Sequence, residues 1–336
     1  MNTEHASTSE ALEEISAILD NSPGCVVQRR APSTNYSTYR VGGALSLLVE
    51  VESAEGLQAL LEVPGLGSVP LLTVGRGSNL LVSDAGFEGL AVRLGEGFSS
   101  IDVGEPNEFG EVVVTAGASA SLPVVARATV ASGLTGFEWA VGVPGSIGGA
   151  VRMNAGGHGS DMAASLMSVQ VADLALGGFV QRSVESLGLG YRHSSIQPWE
   201  VVVGASLRLT QSATHDGAET LSEIVRWRRE HQPGGANAGS VFTNPDGDSA
   251  GRLIDCSGLK GFRYGTAEVS PKHANFIQAD PDGAAADVVA VMVRIIDVVE
   301  SLHGVRLVPE TCLVGFDTET MDQLSRQSKQ PGALDG

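Results

Sequence analysis

The sequence is short of positive charge: 21 Lys and Arg stand against 39 Asp and Glu, a formal net charge of −18. A protein built to neutralise a phosphate backbone carries the opposite balance, so nucleic acid is not an expected partner. A small anion remains possible, because a local cluster of Arg, Lys and backbone N–H groups can hold one inside an acidic envelope. Cysteine is scarce too. Cys25, Cys256 and Cys312 are odd in number, far apart and in no CxxC pair. That argues against a disulfide framework and against a zinc or other metal site, and it fits a reducing cytoplasm. No apolar run approaches the roughly 18 residues needed to span a bilayer, so membrane insertion is not expected. The opening MNTEHASTSEALEE has no basic stretch followed by an apolar one, so it does not read as a secretory signal.

What the chain does have is length, apolar residues and glycine. Its 336 residues, 42% of them hydrophobic, suffice for two or three domains with a sizeable core. Glycine is present in 43 copies while aromatics make up only 5%. That combination suits tight turns and close approaches of main chain to a ligand, as in nucleotide-handling proteins.

Along the chain, residues 1–32 read as an appendage: Ser9 caps a short helix with Leu12, Ile15 and Leu19 on one face, ended by Asn21-Ser22-Pro23-Gly24. Strands are expected at Leu45–Val51, Val69–Val74, Leu90–Leu94 and Glu111–Thr115, and later at Ser168–Leu174 and Val201–Leu209. Helices are expected at Ser53–Glu62 and after Ser121, with Pro123 in the first turn and Gly133 as the stop. Gly136–Gly159 is too rich in glycine for a helix or strand interior and reads as a structured loop. Beyond residue 212, Thr220 and Glu223 form a capping box for a helix to His231. Ala285–His303 is a stronger helix, with Val288, Met292, Ile295, Val299 and Leu302 as its core stripe and Gly304 as its end. The chain after about Thr318 reads as a polar, mobile tail.

Five short segments carry chemistry. Gly75-Arg76-Gly77-Ser78-Asn79-Leu80 follows a predicted strand, with glycines for a tight turn and Ser78 and Asn79 as added donors. Its spacing is not the G-x-G-x-x-G of a dinucleotide turn, and no clear helix follows. The glycine-rich run Gly142–Gly149, with Pro144, Gly145, Ser146 and Gly148, leads to Asn154 and lets main chain approach a diphosphate where a Cβ would clash. Tyr191-Arg192-His193-Ser194 offers an Arg that can clamp a carboxylate bidentately. Ser240 lies among loop-forming residues with none of the G-x-S-x-G spacing of a hydrolase, so its hydroxyl need not be a nucleophile. Glu310 ends the short apolar run Leu307-Val308-Pro309. Taken singly each has an ordinary reading, as a glycine turn, a packing loop, a surface Arg or a solvated carboxylate.

Together and in this order they resemble the UDP-N-acetylenolpyruvoylglucosamine reductase family. The likeness runs from Thr38-Tyr39-Arg40-Val41-Gly42-Gly43 to Glu310–Gly315, and includes Gly258-Leu259-Lys260-Gly261 and Val269–Ile277. The resemblance implies an α+β fold: an FAD-binding unit of the vanillyl-alcohol-oxidase (PCMH) type in two lobes, over residues 33–211, and a C-terminal α+β substrate domain over 212–318. It also implies Arg192, Ser240 and Glu310 as the catalytic set. Cofactor contacts would come from the 75–80 and 142–149 loops, Asn154 and Arg228, and substrate contacts from Tyr191, Asn244, Lys272 and His273. Arg192 and Ser240 stand too close in sequence for the branch that inserts a Tyr-bearing loop. Three positions depart from the family pattern: His158 where Tyr is usual, Thr243 where Lys is common, and Cys312 where Arg often follows the glutamate.

The chemistry implied is reduction of an enolpyruvyl ether on a UDP-amino sugar, with non-covalent FAD and with NADPH as co-substrate, by a monomer. A flavin-free NAD(P) dehydrogenase would need the G-x-G-x-x-G turn, a following helix and an acidic residue about 20 positions on, which are missing. A non-catalytic flavin- or UDP-sugar-binding protein would have no need of Arg192, Ser240 and Glu310 together. The expectation is directly testable: the pure protein should be yellow, and heat or acid should release the chromophore into the supernatant. Colour that stays on the precipitated chain would contradict non-covalent binding.

Overall fold

The computed structural model describes residues 2–212 and 216–325. The chain divides into two compact units that are interleaved in sequence. Unit 1 takes the chain up to Ala31, Leu45–Gly77 and Glu88–Glu230; unit 2 takes Pro32–Ala44, Ser78–Phe87 and the chain from His231 on. No helix among the described residues is long and apolar enough to cross a membrane.

Unit 1 holds two larger sheets and the short antiparallel ladder Gly156–Gly157 with Ser160–Asp161. The first is ordered Cys25–Pro32, Ala44–Val51, Phe87–Leu94, Leu71–Thr73, with the last two parallel and Leu71 opposite Leu90. The helix Ala54–Leu61 covers it, its first turn satisfied by the Ser53 hydroxyl accepting from Gly56 N. Gly56 is required there, because a Cβ would lie 2.3 Å from Gly24 O. The second sheet is antiparallel throughout: Gly178–Ser183, Leu166–Asp173, Glu200–Gln211, Glu111–Gly117 and Ile101–Val103, with Leu134–Thr135 pairing the end of Glu200–Gln211. Val112, Val114 and Ala116 point into the core while Val113 is exposed, the alternation of a half-buried strand. Helix Leu122–Ala131 packs with Leu122, Val125 and Ala126 inward.

Unit 2 is built on a two-stranded parallel ladder, Leu80–Val82 with Cys312–Val314, and a three-stranded antiparallel sheet, Arg263–Tyr264, Ala267–Val269 and Ile277–Ala279. Helix Ala285–His303 forms as expected and ends at Gly304 with φ 67°. The Asp84 carboxylate accepts from Ala285 N (2.8 Å) and Ala286 N (2.9 Å), so a residue 201 positions earlier caps it. Val288, Met292, Ile295 and Val299 are buried. Leu302 is 62% exposed instead, because the last turn before Gly304 runs past the edge of the core.

Five expectations are corrected. Residues 2–31 are not an appendage: the helix spans Asn2–Leu19, so Ser9 lies inside it, and Leu12, Ile15 and Leu19 join the core of unit 1. The boundaries at 32/33 and 211/212 do not separate compact units. Tyr39, Val41 and Leu81 bury with Val288 and Ile295, a long-range association that local patterning does not record. Within Gly136–Gly159 the chain forms a helix, Ile147–Arg152, despite Gly148 and Gly149. Main-chain bonds from Ile147 N to Ala120 O and from Gly148 N to Ala118 O outweigh a helical penalty of about 1 kcal/mol per glycine. Thr318–Ser325 is a helix with Leu324 buried, tied by Arg306 Nη2 donating to Gln323 O; the rest of the expected tail lies outside the described residues. The capping box is displaced as well, since the helix Gly217–His231 begins before Thr220 and the Thr220 hydroxyl donates back to Asp216 O.

Leu19→Ala should therefore destabilise unit 1 by about 2–5 kcal/mol, the range for truncating a fully buried leucine. Urea denaturation checks this. A midpoint within error of the parent's would mean that the first helix contributes nothing to the core.

Candidate active site

Unit 1 contains a cleft of about 280 Å³, lined among others by Val74, Gly75, Arg76, Ser146, Gly148 and Gly149. These are residues of both predicted glycine loops, which the fold brings together. A Cβ on Gly75 would lie 2.9 Å from Ser146 Oγ, and one on Gly148 would lie 3.1 Å from Ala118 Cβ, so main chain rather than side chain forms this wall. Arg76 is exposed at the cleft and makes no hydrogen bond or ion pair with the other described residues. Arg152, which the sequence reading missed, also lines it and donates to the Ile196 and Gln197 carbonyls. Four carboxylates line the cleft as well: Glu50, Glu52, Glu96 and Glu200. Glu50 is paired with Arg93 (3.2 Å), and Glu200 with Arg182 (3.0 Å), which also donates to Ser195 Oγ. Two polar residues alternating along a strand read as its solvent face, so nothing in the sequence marked Glu50 and Glu52 as site residues. Arginines, hydroxyls and open main chain in one cleft with carboxylates suit a ligand that is anionic at one part and rich in hydroxyl donors at another.

The other predicted cofactor residues of unit 1 lie off the cleft. Gly77 adopts φ 65° and Gly145 φ 150°, both in the region that favours glycine, and Gly145 O accepts from Leu122 N. Gly142 is small for a local reason: a Cβ would come within 2.7 Å of the His158 ring. His158 stands edge-on to Trp227 (5.1 Å between centroids), and neighbouring Arg228 adds to the desolvation that lowers its pKa. Pro144 borders the same loop.

Arg192 sits on a tight turn. Gly190 and His193 exchange main-chain bonds of 3.0 and 3.1 Å, leaving Tyr191 and Arg192 at the tip. Arg192 has φ 55°, unusual for a residue with a Cβ. Its guanidinium lies 5.2 Å from the Tyr191 ring centroid, and Nη2 donates to Gly156 O at 3.4 Å. Tyr191 is exposed. Asn154 is buried beneath this turn, and both N–H groups of its amide are committed to protein oxygens, one on Asp161 and one on Gly190. It is a different environment from the cofactor contact the sequence suggests.

Unit 2 brings Ser240 and Glu310 onto adjacent segments. Glu310 N donates to Val241 O (2.8 Å), Thr243 N donates to Val308 O (2.9 Å), and Phe242 bridges Pro309. Both Ser240 and Glu310 are half-buried. Asn79, read from sequence as a cofactor contact, donates from Nδ2 to Glu310 O at 2.9 Å, while its own carbonyl accepts from Cys312 N. Among the described residues Asn79 Oδ1 and the Thr311 hydroxyl are buried without a hydrogen-bond partner, so polar capacity remains near Glu310. Leu80 enters the ladder opposite Cys312 and is buried, with Ser78 just before it. Asn275, also missed in the sequence, braces the Ser240 segment: its amide accepts from Phe242 N (3.0 Å) and donates to Phe242 O (2.8 Å). The predicted substrate residues are close in chain to this brace. His273 Nδ1 accepts from Asn275 N, and Lys272 N donates to Ser270 Oγ. Asn244 Oδ1 accepts from Ala250 N, which holds the start of the helix Ala250–Cys256.

Two family profiles match the chain. One, described as an FAD binding domain, covers residues 45–181; the other, described as the C-terminal domain of UDP-N-acetylenolpyruvoylglucosamine reductase, covers 231–314. The reductase of that name from Rubrobacter xylanophilus is 37% identical over 286 residues, 84% of this chain and 94% of its own. That from Synechococcus sp. strain RCC307 is 38% identical over 293 residues, 86% of this chain and 94% of its own. The crystal structure of the Thermus caldophilus enzyme matches with a TM-score of 0.73 at 34% identity, covering 86% of this chain and 98% of that one. These likenesses bear out the expected fold class, an α+β FAD-binding unit followed by a distinct C-terminal domain.

One pH dependence follows from His273. Burial, and the charge of Lys260, hold its pKa below the ordinary 6.5. As pH falls through that value, the unfolded chain takes up a proton that the folded one refuses, so stability falls on the acid side and not above it. Between about pH 7.5 and 5.5 the parent should lose more thermal stability than His273→Gln. Parallel melting curves across that window would show that His273 carries none of the effect.

Proposed function

The chain belongs to the UDP-N-acetylenolpyruvoylglucosamine reductase family, and from that premise we propose that it reduces UDP-N-acetylglucosamine enolpyruvate to UDP-N-acetylmuramate in peptidoglycan precursor synthesis. It is an FAD-dependent oxidoreductase with NADPH as co-substrate. The residues of unit 1 fit the cofactor: the glycine wall of the cleft leaves main chain open to a diphosphate, with Arg76 and Arg152 as nearby cations. Bound flavin supplies a hydride, received from NADPH, for the terminal carbon of the enolpyruvyl double bond.

The protein's part is charge and proton management. Hydride addition leaves negative charge on the carbon next to the carboxylate, and preorganised donors must meet it. Removing one donor of that kind costs about 3 kcal/mol. We assign this to Arg192, whose planar fork suits a carboxylate and never loses its charge. Ser240 would hold the proton that quenches the carbanion: a serine hydroxyl is a weak acid, yet an enolate-like carbon is basic enough to take its proton in good geometry. Glu310 would be protonated in the complex and donate a hydrogen bond, since burial beside another anion raises a carboxyl pKa. The observation that carries this reading is the pairing of the chain around Ser240 with that around Glu310, which gives one strand pair both a proton donor and a carboxyl group. We also infer that the enzyme acts as a monomer in the cytoplasm, a compartment that the cysteine spacing fits.

Ser240→Ala separates proton delivery from everything else. The variant should keep its flavin and be bleached by NADPH at nearly the parent rate. Return of colour on adding the enolpyruvyl substrate should slow by a factor on the order of a hundred. Stopped-flow absorbance follows the two phases separately. Equal slowing of both would make Ser240 a structural residue, and no slowing would place the proton elsewhere.

A further inference from the structure

Asn154 ends the helix Ile147–Arg152 in a left-handed conformation, φ 39°, with a side chain that is only 3% exposed. Its amide makes three hydrogen bonds. Oδ1 accepts from Ala163 N (2.9 Å), while Nδ2 donates to Asp161 Oδ2 (3.2 Å) and to Gly190 O (2.9 Å). An asparagine amide has two N–H groups, and both are used, so none is left to donate to a ligand phosphate.

Both donated bonds lead to Arg192. The first route is through the main chain. Gly190 O is the carbonyl that also accepts from His193 N, and this bond closes the turn carrying Arg192 at φ 55°. Backbone in that region is strained for a residue with a Cβ and persists only when its surroundings fix it. The second route is through the side chain. Asp161 lies directly opposite Gly156 in the short ladder Gly156–Gly157 with Ser160–Asp161, and Gly156 O is the acceptor of Arg192 Nη2. One amide thus braces the turn from which the arginine projects and the strand pair on which its guanidinium rests.

We propose that Asn154 is a positioning residue that holds the Gly190–His193 turn and the Gly156 carbonyl, and through them fixes the direction of the Arg192 guanidinium. The proposal rests on the assignment of Arg192 to the substrate carboxylate. It differs from a cofactor role for Asn154, and also from a plain helix-ending role, for which a left-handed residue alone would suffice.

The discriminating variant is Asn154→Gly, which adopts the left-handed backbone freely and removes only the amide. Asn154→Asp is the second variant: it keeps the shape and the acceptor for Ala163 N but loses both donors. Each should retain FAD and be reduced by NADPH within about twofold of the parent, because no cofactor contact is lost. Hydrogen exchange of the segment around His193 should speed up by about tenfold, the scale of one lost hydrogen bond. Reoxidation by the enolpyruvyl substrate should slow by about tenfold in kcat, with KM changed less. Added to Arg192→Lys, neither variant should slow it further, since both act through one group.

Three results would overturn the proposal: unchanged exchange at the turn in both variants, loss of flavin or of NADPH reduction in step with turnover, or full additivity with Arg192→Lys. If Arg192→Lys alone leaves reoxidation at the parent rate, the assignment of Arg192 fails. The exchange of the His193 segment then still decides whether Asn154 holds the turn.

Discussion

Unit 2 depends on the parallel pairing of Leu80–Val82 with Cys312–Val314. The short segment Ser78–Phe87 that supplies one strand does several things at once. Leu81 is fully buried in the core formed with Val288, Ile295 and Val299. Asn79 grips the main chain of Glu310, and Asp84 caps the helix Ala285–His303 with both carboxylate oxygens. Parallel pairing between strands so far apart in sequence costs loop entropy before any contact repays it. The caps and the core are what repay it here. The segment is therefore a joint through which the early chain positions the glutamate and the longest helix of unit 2.

The same device recurs in both units: an asparagine or aspartate side chain, buried at Asn275 and Asn154 and exposed at Asp84, satisfies backbone groups of another segment. Asn275 clamps Phe242 on both its N–H and its C=O, Asn154 joins three segments around the Arg192 turn, and Asp84 satisfies two helix-start donors. Loops cannot bury their backbone without such partners, since each unsatisfied buried group costs about 1–3 kcal/mol. Meeting that cost with side chains ties the loop conformation to a fixed geometry. Residues assigned to chemistry sit beside the clamps rather than within them.

The charge balance has a local counterpart. A chain with a net charge of −18 places four glutamates in the lining of the unit 1 cleft, yet two of them are held by Arg93 and Arg182. The same lining carries Arg76 and Arg152, neither paired with a carboxylate among the described residues. Overall acidity thus does not prevent an anion from being bound, because the field at the site is set by nearby groups rather than by the total.

What the sequence alone determined is what short-range physics controls. Helix Ala285–His303 was legible in its 3.6-residue stripe and its terminal glycine, and Ser53 and Pro123 marked helix starts by their own side chains. The two glycine loops could be identified because only glycine permits such close main-chain approach, and Arg192, Ser240 and Glu310 stood out once the motifs were taken in order. What only the tertiary structure decided is which distant segments meet. Residues 78–87 join the chain beyond His231, and the first helix enters the core of unit 1. Glu50, Glu52, Arg152 and Asn275 reach the sites through sheet order and packing. The partners of the Asn79 and Asn154 amides were decided the same way: what an amide bonds depends on what lies within about 3 Å of it in space, and neither Asn79 with Glu310, 231 residues on, nor Asn154 with Gly190, 36 on, leaves a periodic trace at either end.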